Sequence, residues 1–240
     1  VLVLSSISFA QAGATAQVKG TIDKVLEILR DPALKAPDKA EARRKKLKEV
    51  IYARFDFSEM AKRSLGVHWR NRTSKEQEEF VGLFADLLEQ SYYKKLESYT
   101  DEEILYTKEQ VEDKFGVVVT KIVSQKENID IPMEYKLLRQ DAQWRVYDVV
   151  IEGVSMVSNY RSQFNRIIET SSYAELVKRM RVKQEDEALL VSLDGEDFRP
   201  ISEAVDGRLA ADAGSSNGQH VEWLSASLEA WLAQGLTTSS

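Results

Sequence analysis

No cysteine occurs in the chain, so no disulfide framework and no thiolate metal site can be built from it. There are only two histidines, His68 and His220. Neither has a second histidine or a cysteine at ligand spacing, which removes the usual zinc patterns. His68, next to Trp69, reads as a partly buried or surface histidine. The nucleophile elbow G-x-S-x-G, the P-loop and the dinucleotide fingerprint G-x-G-x-x-G are all absent, so the common hydrolase and nucleotide-binding signatures do not apply. No apolar run reaches the roughly 20 residues of a helical membrane span. A soluble protein is expected once any leader is removed.

What is present is an ordinary core-forming composition. Of 240 residues, 43% are hydrophobic and 30% charged. That supports one good domain with an appendage and argues against wholesale disorder. The start, "VLVLSSISFAQAGA", is apolar and then small. Ala10-Gln11-Ala12 fits a signal-peptidase site, so residues 1–12 read as the tail of a signal-peptide h-region, and export is expected. Charge is uneven. Residues 185–240 hold eleven acidic and two basic residues, against an overall formal charge of −6. The body is therefore slightly basic, and the low isoelectric point belongs to the tail.

Periodicity sets out the elements. Val18, Ile22, Val25, Leu26 and Leu29 mark an amphipathic helix over 15–30, stopped by Asp31-Pro32. Pro37-Asp38 opens a second helix with six basic residues between Lys39 and Lys48. Asp56 or Ser58 can cap a short third helix that Gly66 ends. Thr73 with Glu76, or Ser74 with Gln77, forms a capping box ahead of a long helix carrying Phe80, Leu83, Phe84, Leu87, Leu88, Tyr92 and Leu96. The period then changes to two. "EEILYTKE", "FGVVVTKIVS", "IDIPMEYKLL" and "QWRVYDVVI" read as four strands with short connections, hence an antiparallel meander. Met133, Tyr135 and Leu137 share one face; Glu134 and Lys136 share the other. Gly153 ends the last strand, a helix follows over about 154–170, and Ser172 with Glu175 caps a final helix bearing Leu176, Val177 and Met180. Beyond Glu187 the composition is that of turns and linkers, with one amphipathic stretch at Val221, Leu224, Leu228, Trp231 and Leu232.

Two readings of the chemistry stay open at this level. Tyr147 and Asp148, on the last strand, are candidates for a cavity phenol and acid, or for a structural hydrogen bond. The large apolar inventory fills an ordinary core or lines a cavity, since the same residue types serve both.

Three blocks carry more than periodicity. "FDFSEMAKRSLGVHWR" (55–70), "EFVGLFADLLEQSYYKKLESY" (79–99) and "YDVVIEGVSMVSNYRSQFNRII" (147–168) resemble, in order and spacing, the hallmark blocks of the MlaC family, also known as toluene-tolerance or ABC-transporter auxiliary proteins. The resemblance spans roughly residues 16–185. It implies an α+β fold, a four-stranded antiparallel sheet wrapped by helices in an NTF2-like (cystatin-like) arrangement enclosing an apolar lipid cavity. It further implies a periplasmic carrier with no catalytic role and no cofactor, whose cargo is a phospholipid. The implied partners are an outer-membrane lipoprotein–porin complex and an inner-membrane MCE-domain ABC transporter, and the implied role is upkeep of outer-membrane lipid asymmetry. A hopanoid-associated carrier and an isomerase- or dehydratase-type cavity enzyme remain as alternatives, with a filled-core adaptor as a third.

The expected cavity lining is Phe84, Leu88 and Tyr92 from the long helix, Tyr135, Leu137 and Val149 from the sheet, and Val154, Val157, Tyr160, Phe164 and Ile167 after Gly153. Arg43, Arg44, Lys45, Lys46 and Lys48 are the expected partner-docking residues; a solvated helix face is the plainer account of them. Residues 13–187 are expected to form the lipid-binding domain of a monomer. Residues 188–240 are expected to be a disordered acidic tail with a short helix near 221–235.

Overall fold

The computed structural model describes residues 13–97, 102–124 and 129–185. The expected leader remnant at 1–12 and the expected tail at 188–240 lie outside the described residues.

Helix α1 (Ala14–Arg30) ends where Asp31 turns extended, and the Asp31 carboxylate accepts from Ala33 N at 2.9 Å. Pro37 does not open the second helix directly. A 3₁₀ turn over Pro37–Lys39 comes first, and α2 (Ala40–Arg54) follows. Leu47 is the one fully buried side chain of α2; half-buried Val50, Ile51 and Tyr52, the last against Phe57, and ion pairs to α4 supply the rest of its hold. Helix α3 (Phe57–Leu65) is capped by Asp56, which accepts from Glu59 N at 2.9 Å, and it ends at Gly66 with φ +58°. The reciprocal box of Thr73 and Glu76 starts α4 (Ser74–Glu97): Thr73 N donates to Glu76 at 2.8 Å and Glu76 N to the Thr73 hydroxyl at 3.3 Å. Each of these ends is set by residues within four positions of one another, which is why they are readable locally.

The sheet is a meander of β1 (Glu103–Glu112), β2 (Phe115–Ser124), β3 (Ile129–Gln140), β4 (Gln143–Ile151) and β5 (Val154–Ser155), every neighbouring pair antiparallel. The expected four strands are there, and β5 is an addition. Glu152 (φ +49°) and Gly153 (φ +80°) make a two-residue turn with both φ positive. That turn folds the chain straight back, so Val154 pairs with Ile151 and Ser155 with Val150. The next helix, α5 (Met156–Thr170), therefore begins two residues later than its periodicity predicts. Ser155 caps it through Ser158 N. Helix α6 (Tyr173–Glu185) is capped by Ser172, whose hydroxyl accepts from Glu175 N at 3.1 Å.

Register assigns the faces. Ile104, Tyr106, Thr120, Ile122, Met133, Tyr135, Leu137, Val146, Val149 and Ile151 fall on one side, once the irregularities at Tyr106/Lys108 and Lys136/Leu137 are followed. Val118, Leu137, Val146 and Val149 on this side are buried in one cluster with Val18 of α1, Phe80, Phe84 and Leu88 of α4, and Val157, Tyr160 and Phe164 of α5. The opposite side carries Glu134, Lys136, Lys121 and Asp130, with Phe115 still 41% exposed.

Candidate functional site

The core divides the expected lining into two groups. Phe84, Tyr160 and Phe164 are fully buried. Their rings meet one another and Phe80: Phe84 lies edge-on to Tyr160 at 5.5 Å and to Phe164 at 5.8 Å, and Phe80 edge-on to Phe164 at 5.6 Å. Tilted contact between Tyr160 and Phe164 at 5.7 Å closes the cluster. These rings fill each other's space, as edge-to-face packing favours, and they tie α4 to α5. Leu137, Val157, Ile167, Val149 and Leu88 are likewise buried, the most exposed being Leu88 at 6%.

The second group is half-buried. Tyr92 of α4, Tyr135 of β3 and Val154 of β5 pack against the core without being enclosed by it. Ile22, Tyr106, Met133 and Ile151 share that condition. They were outside the expected set, although Ile104/Tyr106 alternate on β1 and Ile22/Leu26 repeat at four on α1. Those spacings were the available signal. Of these half-buried residues, Ile22 and Tyr106 line a groove of about 380 Å³ between α1 and the start of β1. Ile22, Leu26, Ile104 and Tyr106 give it an apolar wall, and Lys19, Asp23, Arg30, Glu102 and Glu103 give it a charged rim. Lys19 pairs with Asp23 at 2.8 Å and stands 5.8 Å from the Tyr106 ring centre. Burial pushes the Tyr135 phenol up to about 12, with the Thr120 hydroxyl acting in the other direction. Low polarity therefore reaches from the core into the middle of this sheet face. A second groove, about 450 Å³, lies between α4 and α6 and involves no sheet residue.

Asp148 and Tyr147 turn out to be structural. The Asp148 carboxylate accepts from Val157 N at 3.0 Å and from the Ser155 hydroxyl at 2.7 Å, and Lys136 lies 3.4 Å away. It thus holds the β4–α5 corner. Tyr147 lies under the Arg63 guanidinium at 4.2 Å and against Phe115. His68 is half-buried and 2.8 Å from the Asn165 side chain. Arg161 donates to Arg63 O at 2.7 Å, pinning α5 to α3.

The basic helix is only partly available. Arg43 pairs with Glu97, Arg44 with Glu89 at 2.6 Å, and Lys48 with Glu89 at 2.8 Å. These contacts strap α2 to α4. Lys45 and Lys46 face solvent.

The family model described as MlaC protein matches residues 19–182, more than half of the chain. The chain belongs to the MlaC family. One relative, the intermembrane phospholipid transport system binding protein MlaC of Haemophilus influenzae, is 25% identical over 121 residues, which covers 49% of this chain and 56% of that protein. The chain thus matches little more than half the length of this curated relative. Among solved structures, the phospholipid-binding protein from Ralstonia solanacearum in complex with a phospholipid is similar, with a TM-score of 0.64 and 24% identity over 72% of this chain and 98% of that one. At that identity the likeness is one of fold. The MlaC blocks quoted from the sequence place their residues on α3, on α4, and on β4 with α5, elements that meet in the hydrophobic core.

Proposed function

We propose that this MlaC-family chain is a non-catalytic phospholipid carrier of the periplasm. It takes lipid between an outer-membrane lipoprotein–porin complex and an inner-membrane MCE-domain ABC transporter, and so maintains outer-membrane lipid asymmetry. The observation that carries the reading is the half-buried apolar sheet face with a charged-rimmed groove at its β1 edge, in a fold like that of a protein seen with phospholipid bound.

The physics demands such a site. Each exposed methylene costs about 0.8 kcal/mol, so one acyl chain of about 15 methylenes costs roughly 12 kcal/mol in water. A carrier must cover nearly all of it with apolar surface, and the headgroup can stay at the rim. Tyr92, Tyr135 and Val154, with Ile22, Tyr106, Met133 and Ile151, are the lining on this reading. The enclosed rings of Phe84, Tyr160 and Phe164 form the wall behind. Lys45 and Lys46 are the docking charges that remain once Arg43, Arg44 and Lys48 are committed to α4.

The test is native mass spectrometry of the purified chain, followed by organic extraction. Phospholipid should copurify in stoichiometric amount. A protein that arrives empty and takes up no lipid from vesicles contradicts the proposal.

A further inference from the structure

We propose that the inner sheet face carries a hydrogen-bonding station for the ester carbonyls of a glycerophospholipid, centred on the Thr120 hydroxyl with Tyr106 and Tyr135 beside it. This rests on the phospholipid reading above.

Thr120 is fully buried, and its hydroxyl makes no hydrogen bond. It stands in the middle of the apolar face. Its register partners are Tyr106 on β1 and Met133 on β3, and Tyr135 lies one diagonal step away. Diagonal neighbours on a sheet are within reach of aromatic side chains. The Thr120 hydroxyl is near enough to Tyr135 to lower the phenol's pKa, yet the two do not meet in hydrogen-bond geometry. An unmade buried hydrogen bond carries the full desolvation cost of the group, which a valine of the same shape avoids. A threonine at this position therefore calls for a partner that arrives with the cargo.

The position selects which cargo atom that is. Glu103 is at the groove rim and Tyr106 is in its wall. Three residues of strand separate them, about 10 Å at the rise of an extended chain. The ester carbonyls of a glycerophospholipid follow its phosphate by a few bonds. With the headgroup at the rim, they are the only polar atoms that travel inward, and everything beyond them is hydrocarbon. The Thr120 O–H can donate to one such carbonyl. Deeper along β2, Val118 and Gly116 offer no side-chain donor, and the Trp144 ring covers Gly116 so closely that a Cβ there would lie 3.1 Å from it.

The experiment compares two probes of equal chain length: diacyl phosphatidylethanolamine, with ester carbonyls, and its dialkyl ether analogue, without them. Delipidated full chain is incubated with vesicles of each, separated, and its retained lipid counted. The wild type should retain the ester form about fivefold over the ether form, the size of one neutral hydrogen bond. Thr120→Val should bring that ratio to about one with an unchanged or higher melting temperature, and Thr120→Ser should keep it. A ratio of one in the wild type means that the hydroxyl serves no carbonyl and overturns the inference while the carrier reading stands. So does a preference that survives in Thr120→Val. Retention of neither lipid by the wild type overturns the carrier reading and this inference with it. Should Thr120→Val not fold, the wild-type ratio and Thr120→Ser decide.

Discussion

Removal of the Asp148 carboxylate should loosen the corner between β4 and α5. The side chain is 6% exposed and serves three donors. Two of them matter most. Val157 N is the first-turn amide of α5, and Val157 is itself only 2% exposed, so without Asp148 that N–H is buried with no partner. The Ser155 hydroxyl, held by Asp148, also caps Ser158 N, so the loss propagates to the second cap. A hydrogen bond to a charged group contributes about 1.5–3 kcal/mol net. Removing one member of a buried pair costs about 3–5 kcal/mol. Lys136 is 33% exposed, so its share is discounted for solvent screening. Asp148→Ala should therefore cost about 3–4 kcal/mol, a large part of the roughly 5–15 kcal/mol that holds a domain together. Asp148→Asn keeps an acceptor for Val157 N and should cost about 1–2 kcal/mol. Urea unfolding followed by tryptophan fluorescence measures both, with an unchanged slope on denaturant showing that the unfolded state is the same. Hydrogen exchange should place the loss in the first turn of α5. A cost below about 1 kcal/mol for Asp148→Ala, or equal costs for Ala and Asn, would refute the assignment of this carboxylate as the clasp of the corner.

Burial raises the Glu89 pKa, but hydrogen bonds from Lys48 and Arg44 outweigh it and hold the carboxyl below its ordinary value of 4.5. Its stabilising contribution is thus complete above pH 4.5 and is lost as pH falls through the lower folded value; in a pH series of urea midpoints the gap between wild type and Glu89→Gln should shrink in that window and stay constant above it. Phe84→Ala removes a ring with three aromatic neighbours and should cost about 3–5 kcal/mol, whereas Met133→Asp should empty the site of extractable lipid with a smaller loss of stability, because Met133 is half-buried. Reversing Lys45 and Lys46 to glutamate should slow lipid transfer to the transporter, in a salt-dependent way, and leave lipid content unchanged, since exposed charges act on encounter rate; a transfer assay at two ionic strengths checks this. A chain ending at Glu187 should fold and keep its lipid, and loss of loading on truncation would assign the tail a part in the carrier.

Elements that depend on neighbours in the chain were legible from the residues. The Asp56, Thr73 and Ser172 caps, the stop at Asp31-Pro32, the four main strands and the face shared by Met133, Tyr135 and Leu137 all follow from spacings of two to four residues, and the three quoted blocks pointed to the MlaC family. Tertiary structure decided everything that joins distant positions. Arg43 reaches Glu97 across 54 residues, and Arg44 and Lys48 also spend their charge on α4, so a basic run that looks like one docking face leaves Lys45 and Lys46 facing solvent. Helical periodicity set Phe84, Tyr160 and Phe164 on inward faces, but only the crossing of α4 and α5 determined that they meet each other. Thr120 reads in sequence as one more β-branched strand residue. Its hydroxyl becomes distinctive only when β1, β3 and the helices exclude water from it, because burial is a property of the whole packing and not of any local pattern.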